Sequence, residues 1–165
     1  MSAILNEVPN TKTVAVRQQG GKFLTFFLAG EEYGIAINKV HEIIGVMSIT
    51  RVPRTPVFIR GVINLRGKVI PVVDLRTKFG METQEQTAET CIIVVQSASI
   101  VMGIIVDRVS EVLDIAGTDI DRTPSFGSEV NTDYIMGVGK SQGKVKILLD
   151  IDKVLSVGEV AELIN

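Results

Sequence analysis

Two side chains that commonly begin catalysis each occur once in this chain of 165 residues: His41 and Cys91. A histidine can shuttle protons or hold a metal near neutral pH. A cysteine can attack carbon or bind zinc once it has lost its proton. Here His41 lies in no HxH or HxxE spacing, and Cys91 sits inside the apolar run CIIVV with no CxxC partner. Both read as structural, Cys91 as a small buried hydrophobe. The serines fall in loops without a GxSxG elbow. No GxGxxG or GxxxxGKS/T sequence offers a phosphate cradle, and TDID, from Thr118 to Asp121, lacks the spacing of a calcium loop. No catalytic residue, metal or cofactor is expected, and the chain does not read as an enzyme.

The chemistry left is recognition. From Arg51 to Lys78, seven basic residues stand against one acid, Asp74, so this segment carries +6 while the rest of the chain carries −8. Either these are solvent-facing positions of strands and turns, or they form a basic face for an acidic partner. Nucleic-acid binding is the rival reading, since small β-barrels often serve it. Against it stand the net charge of −2, the lack of Trp, and only Phe58 and Phe79 interleaved with the basic residues. Within the segment, Asn64, Leu65 and Arg66 occupy a turn. Arg offers five planar donors to a carboxylate and is enriched at protein interfaces. The alternative is a Leu65 folded into the core beside a solvated Arg66.

These residues must be positioned by strands. Short runs rich in Val, Ile, Leu and Phe, bounded by Gly, Pro, Asn or Asp, predict strands over 23–29, 33–37, 59–65, 69–74, 91–96, 100–106, 134–138 and 144–149. Short helical turns are predicted at 38–44, 75–79, 107–113 and after Asp150. In the first of these, Ile37, Val40, Ile43 and Ile44 would share one face. Ile37 and Ile44 then read as core, Val40 and Glu42 as surface.

The chain also repeats itself. YGIAINKVHEIIGV (Tyr33 to Val46) matches MGIIVDRVSEVLDI (Met102 to Ile115) at an offset of 69, and RTP recurs at an offset of 68. FIRGVINLRGKVIPVVDL (Phe58 to Leu75) returns as YIMGVGKSQGKVKILLDI (Tyr134 to Ile151) at an offset of 76. Three blocks in one order indicate a duplication. The units are a first β-barrel over 22–80, a linker over 81–89 and a second β-barrel over 90–155. They are flanked by a mobile tail over 1–21 and a C-terminal helix or tail over 156–165. RGK and QGK read as hairpin turns, Gly61 and Gly137 as kinks, and Asp74 and Asp150 as caps of the helices that follow. Copy two replaces Asn64, Leu65 and Arg66 with Lys140, Ser141 and Gln142, so the shared residues serve folding and the unshared ones mark function.

Apolar residues are 45% of the chain and mean hydropathy is +0.32. The longest apolar run, Ile100 to Val106, is far short of the roughly 20 residues of a spanning helix, and the N-terminus is no signal peptide. A cytoplasmic protein is expected.

EEYGIAINKVHEIIG, TPVFIRGVINLRGKVIPVVDLRTKFG and GIIVDRVSEVL, in this order, resemble the bacterial chemotaxis coupling protein family, called CheW, over residues 22–156. The resemblance implies a mainly β fold of two intertwined, small, five-stranded SH3-like barrels with a few short helices. It also implies a non-catalytic scaffold joining the cytoplasmic tips of methyl-accepting chemoreceptors to the regulatory domain of a histidine kinase. Such arrays lie at the inner face of the membrane without direct insertion, and further copies of the chain are candidate ring partners. An adaptor of another chemosensory system, such as pilus motility, is the alternative. By motif position, the receptor would meet Val40, Glu42, Ile43, Gly61 and Arg66, with Asn64 and Leu65 beside them on the turn. The kinase would meet Ile44, Ile49 and Arg60, with Ser125 and Phe126 from the loop DRTPSFG. Phe126 is either an anchor for the partner or a plug for its own core.

Overall fold

Segments such as FLTFFL and CIIVV are apolar on both faces of a strand, so each needs cover on two sides. The computed structural model, which describes residues 20–98, 100–122, 133–155 and 159, shows how that cover is supplied. Its strands are β1 (Gly21–Leu28), β2 (Glu31–Ala36), β3 (Val40–Gly45), β4 (Ile59–Leu65), β5 (Lys68–Asp74), β6 (Cys91–Gln96), β7 (Val101–Val106), β8 (Arg108–Ile115), β9 (Ile120–Asp121), β10 (Ile135–Ser141) and β11 (Lys144–Leu149). A short helix, α1 (Leu75–Lys78), and 3-10 turns at Ile37–Lys39, Gly117–Asp119 and Ile151–Lys153 complete the described elements.

Two sheets form, ordered β9-β10-β11-β2-β1-β8 and β3-β6-β7-β5-β4. Each draws on both halves of the repeat. Hairpin β1–β2 leaves the first half to lie beside β11, and hairpin β6–β7 leaves the second half to lie beside β5. Both seams are parallel, with Gly34 opposite Leu148 and Gly103 opposite Val72. These pairs are equivalent under the offsets of 69 and 76, so the exchange is reciprocal. The sheets hold six and five strands rather than five each. The difference is β9, whose place in the five-stranded sheet is taken by a single bridge between Thr50 and Val62.

Three apolar clusters follow. Phe23, Leu113, Ile115, Ile120 and Leu148 fill the six-stranded barrel, and Ile63, Ile70, Val72, Ile92 and Val94 fill the five-stranded one. A larger cluster containing Leu24, Phe26, Ile35, Val73, Ile93, Ile104 and Leu149 lies between the two sheets. Consecutive residues such as Phe23 and Leu24 thus serve different clusters, which accounts for the oily composition without a membrane. No helix among the described residues is long and apolar enough to cross one.

The turns match their chemistry. Arg66 and Gly67 (φ 53° and 86°) link β4 to β5, and Gln142 and Gly143 (φ 55° and 75°) link β10 to β11. Paired positive φ values make both turns type I′. Asp74 accepts the N–H groups of Arg76 and Thr77, and Asp150 that of Asp152. The pairing register shifts beside Gly61 and Gly137, so Arg60 and Met136 are bulge residues. Gly61 has φ 143°, and a Cβ there would fall 2.1 Å from the Thr50 carbonyl oxygen.

Two predicted helices are corrected. Residues 38–44 form the end of a 3-10 turn followed by β3, and 107–113 belong largely to β8. Each strand carries a bulge, between Val40 and Glu42 and opposite Leu24 to Phe26. The extra residue breaks strict alternation and leaves a spacing that imitates a helix. Ile37, Val40, Ile43 and Ile44 therefore share no single face: Ile37 and Val40 pack on the central cluster, Ile44 on the five-stranded barrel's core, and Ile43 is exposed.

Ion pairs hold the crossings. Arg76 Nε donates to Asp107 Oδ1 at 2.7 Å, and its Nη1 donates to the Glu82 carbonyl. The Ala29 N–H donates to Asp107 Oδ2 at 2.9 Å. Lys39 pairs with Asp152 at 3.1 Å, and Asp152 also accepts the Ala98 N–H. The hydrogen bond from Arg76 holds the Asp107 carboxyl below the usual range.

Gly61→Ala is expected to cost about 3 kcal/mol, from backbone strain and overlap. Gly67→Ala, which meets open space, should cost only about 1 kcal/mol. Urea unfolding compares them. For Asp107, a depressed folded pKa means stability present above its unfolded value near 4 and lost as pH falls through the folded value. Asp107→Asn should melt well below wild type at pH 7, and thermal melts should converge below about pH 4.

Candidate recognition groove

Hairpin β4–β5 projects its turn towards edge strand β3. Asn64 Oδ1 accepts the Gly67 N–H at 2.8 Å, which fixes the tip. Arg66 reaches across so that its Nη2 donates to both carboxylate oxygens of Glu42, at 2.5 and 2.6 Å. Between β3 and the tip lies an open groove of about 640 Å³. Its rim carries Glu42, Arg66 and Lys68, and Ile70, Val94 and Val101 line its apolar part. Ile43 and Val69 are exposed on the other face of the same strands.

The second barrel is an internal control, because every position of this groove has an equivalent there. Ile70 corresponds to Lys146, Val101 to Glu32, Leu65 to Ser141 and Arg66 to Gln142. By strand register, Val94 corresponds to Thr25, since each pairs with the glycine of the facing strand. Lys146 is 1% exposed; its Nζ lies 3.8 Å from Glu32 Oε1 and donates to the Ser141 carbonyl at 3.1 Å. Thr25 Oγ1 donates to the Glu111 carbonyl. One barrel thus has a groove with an apolar floor where the other has buried polar side chains: Lys146 and Thr25 donate to backbone carbonyls, and Lys146 faces Glu32, whose Oε2 has no hydrogen-bond partner.

Of the residues expected at the receptor, Glu42, Leu65 and Arg66 line this groove together. Leu65 is half-buried against the barrel core, while Arg66 is 71% exposed, so the turn combines both readings of that pair. Val40 packs inward, and Asn64 shapes the turn. Gly61 is buried, and the close Thr50 carbonyl accounts for it. Of those expected at the kinase, Ile49 and Arg60 line a second hollow of about 330 Å³, which Asp74, Arg76 and Asp107 also border. Ile44 packs with Ile49 on the core beneath. Arg60 Nη1 donates to Asp74 Oδ2 at 2.7 Å. Ser125 and Phe126 lie outside the described residues, as do 1–19 and most of 156–165.

The basic segment is largely neutralised in place. Arg60, Arg66, Arg76 and Lys78 pair with Asp74, Glu42, Asp107 and Glu159. Among the described residues that leaves Arg51, Arg54 and Lys68 without an ion pair, a thin supply for a phosphate backbone. Burial raises the Cys91 thiol pKa, and His41 is exposed on β3. Among the described residues, no group of three or more His, Cys, Asp or Glu is placed to hold a metal. Sequence reasoning missed the groove's apolar residues, although Ile70 against Lys146 was visible in the aligned repeat.

Residues 22–159 match the model of the CheW-like domain. The chain is 43% identical to the chemotaxis protein CheW of Klebsiella aerogenes, with 88% of each chain covered. It is 37% identical to that of Helicobacter pylori, with 81% of each covered. It is 28% identical to Protein FrzA of Myxococcus xanthus over 89% of this chain and 92% of the other. The crystal structure of the scaffolding protein TtCheW from Thermoanaerobacter tengcongensis superposes with a TM-score of 0.78 at 37% identity, covering 85% of this chain and 95% of that one.

Lys146→Met, which strands the buried Glu32 carboxylate, is expected to cost about 3 kcal/mol. Arg66→Ala, which removes an exposed pair, should stay within about 0.5 kcal/mol of wild type. Chemical denaturation of the two variants side by side checks both values.

Proposed function

The chain belongs to the CheW-like family of chemotaxis scaffold proteins, and from that premise we propose that it joins chemoreceptor tips to a chemotaxis histidine kinase through two separate surfaces, without catalysing a reaction. The observation that carries this reading is the asymmetry of the two barrels. A duplicated fold that keeps an apolar groove at one end of one barrel, and fills its equivalent with an ion pair, has kept one site for a partner. A receptor tip is a helical hairpin, and such a hairpin lays an apolar face into a groove. Ile70, Val94 and Val101 supply the apolar lining. Glu42 and Arg66 set the register at the rim. Val40, Gly61 and Asn64 support this surface from behind, through core packing, the bulge and the turn.

The kinase surface in this reading is the hollow edged by Ile49 and Arg60, with Ile44 beneath it; Ser125 and Phe126, which lie outside the described residues, are the further contacts proposed for the kinase. The kinase's regulatory domain is the proposed occupant. The protein would act in the cytoplasm, at the inner face of the membrane, in rings that also admit further copies of this chain. The family reaches beyond proteins named for chemotaxis, as the similarity to Protein FrzA illustrates. An adaptor of another chemosensory array, such as one for pilus motility, is therefore the second reading, and it would use the same two surfaces with different partners.

Calorimetry with a receptor-tip hairpin and with a kinase regulatory domain tests the proposal. Both are expected to bind, at separate sites. Arg66→Ala should weaken the receptor piece about tenfold, roughly 1.4 kcal/mol, and leave the kinase piece within about twofold. Arg60→Ala should do the reverse. If neither piece binds while a nucleic acid does, with affinity falling steeply in salt, the scaffold reading fails.

A further inference from the structure

The six-stranded barrel closes one of its ends on charge, and the charges stop short of each other. Lys146 on β11 and Glu32 on β2 stand one residue before the paired Ile147 and Tyr33 of the parallel seam. Their side chains are only 2% and 9% exposed. Lys146 Nζ lies 3.8 Å from Glu32 Oε1, beyond the roughly 2.7–3.2 Å of a direct N–H···O bond. Glu32 Oε2 is buried with no hydrogen-bond partner. An ammonium carries three donors, and Lys146 gives one of them to the Ser141 carbonyl at 3.1 Å.

Nearby protein groups do not serve Oε2. The Thr25 hydroxyl, on the neighbouring strand, donates to the Glu111 carbonyl and accepts the Glu111 N–H, so it is already spent. Closing Lys146 onto Oε1 would make a direct ion pair and still leave Oε2 bare. A buried carboxylate oxygen without a donor is costly, and the group that relieves it must be small, must donate, and must accept from an ammonium. Water has all three properties. There is also less side-chain bulk here than at the other barrel's equivalent end, because Ser141 stands where Leu65 stands and Gln142 where Arg66 stands.

We infer that this end of the six-stranded barrel is a binding site for a buried water molecule, which accepts an N–H of Lys146 and donates to Glu32 Oε2. The bridge ties β11 to β2 and, through the Ser141 carbonyl, both of them to the tip of β10. Bridging waters hold polar groups nearly as well as direct bonds do, and buried ones belong to the structure as side chains do. The five-stranded barrel has Ile70 and Val101 at the two equivalent positions, and neither side chain offers a hydrogen bond to hold such a water. Duplication has thus left one barrel end sealed with water and its counterpart open over apolar side chains.

A high-resolution crystal structure of the full chain tests the site directly. Oxygen-17 relaxation dispersion of the solvent, which counts waters held longer than those of the surface, tests it in solution. The expected density is one water within hydrogen-bond distance of both Lys146 Nζ and Glu32 Oε2. The double variant Glu32→Val with Lys146→Ile, which copies the other barrel's residues, is expected to lose one long-held water from the dispersion. Density that shows Lys146 in direct contact with Glu32 and no water on Oε2 overturns the proposal. So does a folded double variant whose dispersion equals that of wild type. Should the double variant not fold, the wild-type density decides alone.

Discussion

The parallel seams between β2 and β11 and between β7 and β5 are the constraint on which the rest depends. Each seam joins a hairpin from one half to a strand of the other, so neither sheet exists without both halves. The exchange also creates the central cluster, because the strands at the seams have an inner face towards their own barrel and an outer face towards the other sheet. Separating the barrels would expose Phe26, Ile35, Val73, Ile93 and Ile104 together. Burial of even one such side chain is worth roughly 1.5–3 kcal/mol, so the two barrels cannot move as independent bodies on beads of linker. If the chain holds two partners, as proposed, the topology itself would keep them at a fixed relation.

Duplication supplies two equivalent barrel ends, and divergence gives them different tasks. At one, Ile70, Val94 and Val101 face an open groove; at the other, Lys146 and Glu32 fill the space and Thr25 bonds to the backbone of Glu111. A buried ion pair is a poor way to gain stability compared with apolar packing. Under the proposed function, its presence in only one barrel would serve specificity, by denying a partner a second place to bind.

Much of this was legible in the sequence, and the limits have physical causes. The strands over Ile59–Leu65, Cys91–Gln96 and Lys144–Leu149 were readable to the residue because turn chemistry brackets them. The Arg66–Gly67 and Gln142–Gly143 turns, and the Asp74 and Asp150 caps, were readable from local rules alone. The helix expected over 38–44 failed because a bulge adds a residue to β3, and one inserted residue turns a period of two into something nearer four. The exchange of hairpins was not deducible from periodicity, since Gly34 fits beside Leu148 or Val72 equally well by pattern. What fixes the exchange is the length of the links: Asp107 alone joins β7 to β8, far too short to carry β8 to the other side of β6. The groove was half legible: Arg66 stood out as a residue the second copy lacks, whereas Val94 and Val101 looked like any other strand interior.

The rim of the groove shows how weak interactions can carry selectivity. The Arg66–Glu42 pair is exposed enough to contribute little to folding, so a partner can share or displace it at small cost. Arg66 uses one nitrogen, Nη2, for both oxygens of Glu42. Its Nε and Nη1 remain able to donate single hydrogen bonds, and displacing Glu42 frees Nη2 for a planar, two-point grip on an incoming carboxylate that lysine cannot offer. In the proposed reading the rim would reward a partner whose acid arrives at the right height above Ile70, which with Val94 is nearly covered already. A partner with the right charge but no apolar face meets a segment whose cations are mostly paired already, and it gains little. Binding through this groove, as proposed, would therefore require a partner that fits the opening as well as one that presents an acid, which is what a scaffold needs if it is to ignore the many acidic surfaces around it.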